Sequence, residues 1–552
     1  MTDPAPLAPS AHVDTFTRDH LPPRDAWPQF HFDVPGLPYP ERLNVTTVLL
    51  DDHVNGGAGD RACVRSADDS IVWTYADLLA QANRLAHVLI DDLGIVPGKR
   101  ILLRGPNHPW LVALWFAALK VGAVVVPTMP MLRARELAAI CEIAAVDLAL
   151  CDHRFLTDLE GADIPGLRIL PYAGDAPEDV TVRSQGKPTA YENCDTSADD
   201  VAMLAFTSGT TGRPKATMHF HRDILANADT FSRYVVKPLP DDVFIGTPPI
   251  AFTFGLGGLV VFPMRVGAST VMVERATPAE LADIVERSGA TVCFTAPTAY
   301  KAMIAGGMAP KLATLRRAIS AGEHLPVTTW HAVHEATGLR LIDGIGSTEM
   351  LHIFIGSSDD DIRPGSTGKP VPGYRARIID LDGADVPDGT PGRLAVQGPT
   401  GCRYLDDPRQ SVYVVDGWNV TGDTFIRDAE GYYWYQARSD DMIVSSGYNI
   451  SGPEVEVALS SHPAVLESAV VGVPDPTRGR IVKAFVVLRE GHEGSDELAK
   501  ALQDHVKAEI APYKYPRAVE FLSALPRTST GKVLRRSLRV DGPESADPPT
   551  GD

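Results

Sequence analysis

Phe206-Thr-Ser-Gly-Thr-Thr-Gly-Arg-Pro-Lys215 is the stretch around which the sequence is organised. It combines the hydroxyl and glycine residues Thr207, Ser208, Gly209, Thr210, Thr211 and Gly212. Glycines let a backbone approach an anion, and successive N–H groups together with hydroxyls can surround phosphate oxygens. Lys215 adds a mobile positive charge, and the apolar residues 201–206 before the loop predict a buried strand. Taken alone, the stretch favours a phosphate-binding loop, with an ordinary Ser/Thr/Gly turn as the alternative.

Length and composition narrow the class of protein. The chain has 552 residues, which is more than one ordinary domain, so we expect two or more hydrophobic cores. Hydrophobic residues make up 44% and charged residues 22%, as in globular proteins. The formal net charge of −19 argues against a general nucleic-acid-binding protein. A phosphate-bearing ligand would therefore need local basic groups.

The sequence carries no pattern typical of secretion, membrane insertion or a zinc site. Its 6 cysteines include no C-x-x-C pair. The first residues are polar and rich in proline, without the pattern of a signal peptide. The most apolar stretch, residues 111–126, is interrupted by Lys120 and is too short to cross a bilayer. We therefore expect a cytoplasmic protein that does not span a membrane.

Hydrophobic periodicity predicts an α/β fold. Residues 1–40 are rich in proline and lack periodicity, which predicts an extended arm. Thr74-Tyr-Ala-Asp77 resembles a capping box, so a helix is predicted to begin there and to end at Gly94. Alternating strands and helices follow, with short loops that indicate a layered domain of mostly parallel strands. After about residue 365, short β runs separated by glycine and proline predict a more antiparallel subdomain.

The predicted fold divides near residue 438. Residues 1–437 are expected to form a large N-terminal α/β domain of several subdomains. Residues 438–540 predict a separate small α/β domain, in which a helix over 495–510 ends before Pro512. Residues 541–552 are polar and rich in proline, and are expected to be disordered.

Asp343-Gly-Ile-Gly-Ser-Thr-Glu349 is the most specific motif after the glycine-rich stretch. Its glycines would let a nucleotide lie flat against the backbone, and Glu349 offers the hard oxygen ligand that Mg²⁺ prefers. Upstream, Phe252 and Phe254 predict either a flat apolar wall or two core aromatic residues. A competing set of metal ligands lacks H-E-x-x-H spacing and favours a solvated helix face. This set is His331, His334 and Glu335.

In this order, the motifs resemble those of the adenylate-forming superfamily, which comprises acyl- and aryl-CoA ligases, luciferases and peptide-synthetase adenylation domains. The resemblance covers roughly residues 40–540. Two positions depart from the family pattern: Ala216 follows the lysine and Ala437 precedes Arg438, where glycine is usual. The resemblance implies the adenylate-forming enzyme fold, in which a large N-terminal domain is followed by a small, mobile C-terminal lid domain.

The resemblance also implies which residues bind ATP and CoA. Glu349 would hold Mg²⁺, Lys215 would lie beside the leaving phosphates, and Lys532 would reach the acid and the α-phosphate. Asp440 would be the hinge about which the lid turns. The implied nucleotide-binding residues are Thr207, Ser208, Gly209, Thr210, Thr211, Gly212, Ala321, Gly322, Glu323, Asp343, Gly344, Ile345, Gly346, Ser347, Thr348, Asp423 and Arg438. The residues implied to border the CoA tunnel are Ser445, Ser446, Gly447 and Tyr448.

Three segments narrow the resemblance to ligases of small aryl acids. Asp343-Gly-Ile-Gly-Ser-Thr-Glu-Met-Leu-His-Ile-Phe354 is similar to benzoate-type CoA ligases. Ala251-Phe-Thr-Phe-Gly-Leu-Gly-Gly258 and Ala216-Thr-Met-His-Phe-His-Arg-Asp223 are similar to 2-aminobenzoate (anthranilate)–CoA ligases. His352 would hydrogen-bond an ortho substituent or, alternatively, be a satisfied core histidine. The implied ring pocket consists of Phe252, Thr253, Phe254, Gly346, His352 and Ile353.

The activity implied is ATP-dependent conversion of an aryl carboxylic acid to aryl-AMP, followed by transfer to CoA with release of AMP. 2-Aminobenzoate is the first candidate acid, and benzoate-type acids come next. The alternatives are an enzyme that loads a carrier protein and a non-catalytic acyl-AMP-binding protein. A Walker-type NTPase is disfavoured because Pro214 stands where that motif has its second glycine. The expected partners are small molecules, and the expected oligomeric state is a monomer or homodimer.

Overall fold

The computed structural model of the protein describes residues 7–207, 213–322, 325–438, 442–445, 448–526, 533 and 535–538. The chain forms two compact units. The larger unit holds most of the described residues up to 438, and the smaller unit holds those from 442 onward. Across these described ranges, no helix combines the length and the apolar character needed to cross a membrane.

A large mixed sheet forms one layer of the larger unit. At its centre the strand Val292–Thr295 is buried along its full length, as expected for parallel strands covered on both faces. The central strands run parallel to one another, and the outermost pairs at both edges are antiparallel. In spatial order the strands are Lys369–Pro370, Ile353–Gly356, Ile342–Gly346, Arg317–Ser320, Val292–Thr295, Val243–Gly246, Ser269–Met272, Ala62–Ser66 and Val72–Thr74.

A second sheet of the larger unit is parallel except for its final pair. In spatial order its strands are Arg168–Tyr172, Leu148–Asp152, Arg100–Arg104, Val124–Thr128, Val201–Thr207 and Lys215–Phe220. The last two strands are antiparallel, with Thr207 paired to Lys215. The predicted α/β fold with mostly parallel strands is thereby confirmed.

The antiparallel subdomain is also confirmed. Its strands are Arg375–Ile379, Gly392–Gln397, Val414–Val415, Trp418–Arg427 and Tyr433–Arg438. All of their pairings are antiparallel. The strand Trp418–Arg427 lies between its neighbours Gly392–Gln397 and Tyr433–Arg438, and it carries Asp423.

Helices connect the strands of the larger unit, and the predicted capping box begins one of them. The Asp77 N–H donates to the Thr74 hydroxyl at 3.1 Å, and the Thr74 N–H donates to the Asp77 carboxylate at 3.0 Å. Helical structure continues to Asp92, and Gly94 follows in the left-handed region with a φ of +67°.

The α-helices of this part are Phe16–Asp19, Tyr75–His87, Pro109–Lys120, Ala134–Ala144, Leu156–Glu160, Val180–Arg183, His221–Asn227, Thr253–Leu256, Phe262–Arg265, Pro278–Ser288, Pro297–Ala305, Val327–Thr337 and Gln410–Tyr413. The π-helical turns are Thr47–Asp51, Val54–Ala58, Val88–Asp92, Ala228–Val236 and Gly257–Val261. The 3₁₀ turns are Arg24–Ala26, His153–Phe155, Ala309–Leu312 and Asp359–Asp361. Near the start of the chain, Trp27 is buried against Phe220.

The smaller unit is built on a separate sheet. Val465–Asp475 pairs in antiparallel fashion with Gly479–Leu488, which pairs in parallel with Ala518–Phe521. The predicted helix is found at Asp496–Glu509, where the Leu498 N–H donates to the Ser495 hydroxyl at 3.2 Å. The other elements are the strands Met442–Ser445 and Tyr448–Ser451, the helices Gly452–Ser460 and Arg535–Leu538, and the 3₁₀ turn Pro512–Lys514.

Candidate active site

Strand ends from the two large sheets meet at the candidate site. Lys215 begins its strand opposite Thr207, the last residue of a parallel strand. Glu349 follows the end of the strand Ile342–Gly346 in the other sheet. The Lys215 Nζ lies 3.0 Å from the Glu349 Oε1. The two predicted motifs, which lie far apart in the sequence, are therefore brought together where α/β sheets usually bind ligands.

Tyr404 completes this ion pair. Its hydroxyl accepts a hydrogen bond from the Lys215 ammonium and donates one to the Glu349 Oε1 at 2.5 Å. The Lys215 Nζ also lies 4.5 Å from the centre of the Tyr404 ring and 5.4 Å from that of Tyr413. Lys215 thus sits between two aromatic rings and a carboxylate, so an ion pair and cation–π contacts both act on its ammonium group.

A short segment positions Tyr404 beside the strand that carries Lys215. The Met218 N–H donates to the Arg403 carbonyl at 2.7 Å, and the Leu405 N–H donates to the Ala216 carbonyl at 2.9 Å. The Tyr404 N–H donates to the Gln410 Oε1 at 2.9 Å. Tyr404 is fully buried, and hydrogen bonds hold both its backbone N–H and its hydroxyl.

The environment of Glu349 keeps it charged. Burial alone would raise the pKa of Glu349, but the Lys215 charge and the Tyr404 hydrogen bond lower it to about 2. A buried, ionised carboxylate is the kind of hard oxygen ligand that fits Mg²⁺. Within the described residues, no cluster of three or more His, Cys, Asp or Glu side chains could hold a metal ion.

The two predicted nucleotide segments lie side by side. Ser320 pairs with Asp343 on adjacent parallel strands, so Ala321 and Gly322 leave the sheet beside the Asp343 motif. Gly322 has a φ of +88°, in the region that favours glycine. Burial raises the pKa of Asp343 to about 8. The Ser347 hydroxyl lies 3.2 Å from that of Tyr413.

The rest of the nucleotide motif follows the same strand. Gly344 and Ile345 lie in Ile342–Gly346, and Thr348 accepts a hydrogen bond from the Leu351 N–H at 3.1 Å. Asp423 and Arg438 are register partners on neighbouring antiparallel strands. The structure therefore brings together the two positions predicted to contact a ribose, although they are distant in the sequence.

Aromatic rings surround His352 at the position where the ring pocket is predicted. Within the described residues, its ring contacts are to Phe231, Phe254 and Phe262, with ring centres 5.3, 5.6 and 4.6 Å away. Gly346 pairs with Ile353 across the hairpin, and a Cβ at Gly346 would lie 2.6 Å from the His352 carbonyl oxygen. The predicted ring-pocket residues Phe254, Gly346, His352 and Ile353 are thus adjacent.

The other two ring-pocket predictions lie next to Phe254 in the chain. Phe252 is partly exposed and precedes the helix Thr253–Leu256, which Thr253 begins. Phe231 and Phe262 were not part of the predicted pocket. They lie on separate helical segments, and their sequence surroundings resemble those of any core aromatic residue.

His352 is buried without hydrogen bonds. Its exposed fraction is 2%, and neither ring nitrogen has a hydrogen-bond partner among the described residues. Burial lowers the pKa of His352 to about 3, so the ring is neutral at ordinary pH. A buried polar group without a partner costs free energy unless a ligand satisfies it. Both interpretations of His352, a partner for an ortho substituent and a satisfied core histidine, stay predictions, since burial of the ring is compatible with either.

Other predicted residues have simpler outcomes. Ser445 is buried and pairs with Tyr448 in a hairpin of the smaller unit, where the Tyr448 ring stacks on Tyr513 at 4.2 Å. On the helix Val327–Thr337, His331 and Glu335 are exposed, as predicted for a solvated face, whereas His334 is half-buried with its Nδ1 3.1 Å from the Leu339 carbonyl oxygen. The remaining predictions lie outside the described residues. They concern Ser208, Gly209, Thr210, Thr211, Gly212, Glu323, Asp440, Ser446, Gly447 and Lys532.

Tyr404 was not predicted from the sequence. It follows Gly401-Cys-Arg403 in a stretch without a recognisable chemical motif. Its hydroxyl partners are 189 and 55 positions away along the chain. A local pattern does not reveal such a contact, because only the folded backbone brings these groups together.

Two family models match the chain. Residues 50–403 match the family of AMP-binding enzymes, and residues 454–532 match the AMP-binding enzyme C-terminal domain. The chain therefore belongs to the adenylate-forming superfamily of AMP-binding enzymes.

Individual relatives extend the match over nearly the whole chain. The benzoate–CoA ligase of Thauera aromatica is 36% identical over 92% of this chain and 97% of its own length. The crystal structure of the anthranilate CoA ligase AuaEII in complex with anthranoyl-AMP is 33% identical, with a TM-score of 0.71, and the match covers 91% of this chain and 97% of that one. The amide bond synthetase McbA from Marinactinospora thermotolerans is 27% identical, with a TM-score of 0.80 and coverages of 90% and 99%.

Proposed function

We propose that the protein is an AMP-forming aryl-CoA ligase whose preferred acid is 2-aminobenzoate, with benzoate-type acids next. Its similarity to a benzoate–CoA ligase and to an anthranilate CoA ligase supports the class of reaction. The aromatic walls around His352 support a flat ring as the substrate.

We prefer 2-aminobenzoate because the two ring nitrogens of His352 are buried and have no hydrogen-bond partner among the described residues. A neutral imidazole has one nitrogen that accepts a hydrogen bond. An amino group ortho to the carboxylate would donate to that nitrogen and satisfy a buried polar atom. Benzoate fills the same apolar walls but leaves the nitrogen unsatisfied, so it should be the poorer substrate.

In the first half-reaction, a carboxylate oxygen of the acid attacks the α-phosphorus of ATP. The bond from the α-phosphorus to the bridging oxygen breaks, and pyrophosphate leaves. Both reactants are anionic, so positive charge must stand where negative charge accumulates. We assign Lys215 to the leaving phosphates and Glu349 to a bound Mg²⁺, which would neutralise phosphate charge. The roles of Asp343 and Asp423 are to bind the base and the ribose.

In the second half-reaction, the thiol of CoA attacks the mixed anhydride and AMP departs. We assign Lys532 to the first half-reaction only, as the cation between the acid and the α-phosphate. Residues 438–540 would turn about Asp440 between the two steps, so that one cavity serves both reactions. Ser445 and Tyr448, at the ends of their hairpin, would then border the path of CoA.

The proposal is tested by measuring AMP release over a panel of ring-substituted benzoates, with and without CoA. We expect 2-aminobenzoate to give the highest kcat/KM, and a thioester to form only when CoA is present. Acid-dependent pyrophosphate exchange without a CoA thioester would favour a carrier-protein acceptor. An amide product with an added amine would favour the activity in McbA's name. Absence of acid-dependent AMP would leave a non-catalytic binding protein.

Lys532→Ala should separate the two half-reactions. Removing this cation should slow aryl-AMP formation by about two to three orders of magnitude, because a preorganised charge at the reacting centre is lost. Thioester formation from presynthesised aryl-AMP should be nearly unchanged. The control is Lys500→Ala, since Lys500 is an exposed lysine of the smaller unit. Equal losses in both half-reactions would remove Lys532 from its assigned role.

A further inference from the structure

Glu349 meets Lys215 and Tyr404 through the same carboxylate oxygen. The Lys215 ammonium and the Tyr404 hydroxyl both meet Oε1, at 3.0 and 2.5 Å. A carboxylate has two oxygens with about four acceptor positions in total. Occupation of Oε1 from two sides therefore orients the whole group and leaves Oε2 for a different partner.

Of the two neighbours, Tyr404 is the one that can stay in place when ATP binds. Lys215 has a long flexible side chain and is proposed to turn towards the phosphates. Tyr404 has a rigid ring, and its backbone is fixed by Gln410, which is itself anchored to the Ala26 carbonyl at 2.8 Å. The Tyr404 hydroxyl would thus still hold Oε1 after Lys215 has moved.

Arg403 anchors the same segment through a second set of contacts. Its guanidinium forms a fully buried ion pair with Asp223 and lies 3.9 Å from the centre of the Phe220 ring. A buried pair of this kind fixes the backbone, because breaking it would leave an uncompensated charge. Buried contacts of Arg403 and Gln410 therefore hold the segment that presents the Tyr404 hydroxyl to Glu349.

We propose that Tyr404 is a positioning residue for cation binding, which holds Glu349 Oε1 and thereby assigns Oε2 to the divalent cation of the nucleotide. This inference rests on the proposed role of Glu349 as a cation ligand. Groups that orient a metal-binding carboxylate commonly change metal affinity by about 10- to 100-fold when they are removed.

The test uses Tyr404→Phe, which removes only the hydroxyl and keeps the ring beside Lys215. Mn²⁺ binding is measured on the full-length protein by electron paramagnetic resonance of free Mn²⁺, in the presence of α,β-methylene-ATP. We expect the dissociation constant of Mn²⁺ to rise about tenfold. In pyrophosphate-release assays, the Mg²⁺ concentration for half-maximal activity should rise, while the KM for the aryl acid should stay the same.

Tyr172→Phe is the matched control. The Tyr172 hydroxyl is also fully buried and donates to the Arg104 carbonyl at 3.2 Å, and Tyr172 lies on the strand at the opposite edge of the sheet that carries Lys215. It should lower stability to a similar extent without changing Mn²⁺ binding. Thermal unfolding of both variants establishes that they are folded. If Tyr404→Phe does not fold, Tyr404→Met serves as the second variant, with the same expected change in Mn²⁺ affinity.

Glu349→Gln distinguishes failure of this inference from failure of the proposed function. Glu349→Gln should weaken Mn²⁺ binding at least as much as Tyr404→Phe, and the double variant should match Glu349→Gln within about twofold. Unchanged Mn²⁺ binding in Glu349→Gln would overturn the cation role of Glu349 and the inference with it. Weaker binding in Glu349→Gln but not in Tyr404→Phe would overturn the role of Tyr404 alone, as would additive losses.

Discussion

Glu349 and His352 lie close together in the chain and are both buried, yet their surroundings are opposite. Glu349 is surrounded by charge and hydrogen bonds, through Lys215 and Tyr404. His352 is surrounded by the rings of Phe254 and Phe262 and has no hydrogen bond from the described residues. One short turn therefore connects a polar corner, defined as Lys215, Glu349 and Tyr404, to an aromatic pocket.

The pKa values of Glu349 and His352 are both lowered, which leaves the acid charged and the base uncharged. The pKa of Glu349 is lowered to about 2 and that of His352 to about 3. At neutral pH the carboxylate is therefore negative, whereas the imidazole is uncharged. A charged corner in which both neighbours contact Glu349 Oε1 is suited to phosphates and a cation, and a neutral histidine among aromatic rings is suited to an aryl ring with one polar substituent. Each half of the site can then be disturbed separately.

The largest effect is expected from Lys215→Met, which removes charge from the polar corner. Loss of a positive charge at the leaving phosphates should reduce aryl-AMP formation by about 10²- to 10³-fold. Because Lys215 does not reach the ring in the proposed arrangement, the loss should be equal for benzoate and 2-aminobenzoate. Pyrophosphate release with each acid measures this ratio, and the exposed Lys311→Met is the control. A ratio that changes would contradict the division of the site.

His352→Leu should have the opposite signature. It removes the imidazole nitrogens but keeps an apolar side chain in the pocket, so nucleotide binding should be preserved. The kcat/KM for 2-aminobenzoate should fall about tenfold more than that for benzoate, because only the amino group loses a hydrogen bond. His334→Leu, on the helix Val327–Thr337, serves as the control. Equal losses with both acids would make His352 a packing residue without a role in selectivity.

Local patterns were sufficient to predict most of the fold. The capping box at Thr74 involves atoms within one helical turn, and the strand Arg100–Arg104 is a short apolar run between two basic ends. Such features depend on neighbours in the sequence, so they can be recognised there. The antiparallel subdomain was likewise indicated by its turns, since glycine and proline restrict the backbone locally.

The candidate site was predictable only where a motif marked it. The motifs around Lys215 and Glu349 identified those two residues, but neither motif includes the Tyr404 that joins them. The aromatic walls Phe231 and Phe262 were missed for the same reason. Their roles arise from packing between distant segments, and no local spacing encodes that packing.

The smallest expected effect is on stability. His352 and Glu349 should change the free energy of unfolding in different pH ranges. Burial lowers the pKa of His352 to about 3, against about 6.5 in an unfolded chain. Between these values the unfolded state binds more protons, so stability is retained above about pH 6.5 and is lost as the pH falls. Glu349 acts in the same direction, but only below about pH 4.5, since its own pKa is lowered to about 2.

Between pH 6.5 and pH 5 Glu349 does not contribute to the pH dependence of stability, whereas Asp343, with its pKa raised to about 8, contributes with the opposite sign in the variant and the wild-type protein alike. His219 and His221 contribute there as well, because burial lowers their pKa values to about 4 and about 3. In His352→Phe, the slope of unfolding free energy against pH should decrease by up to about 1.4 kcal/mol per pH unit. Urea denaturation at several pH values measures the slope. Parallel curves for the variant and the wild-type protein would show that His352 is not held neutral by the fold, and the contrast between pocket and polar corner would then have to be abandoned.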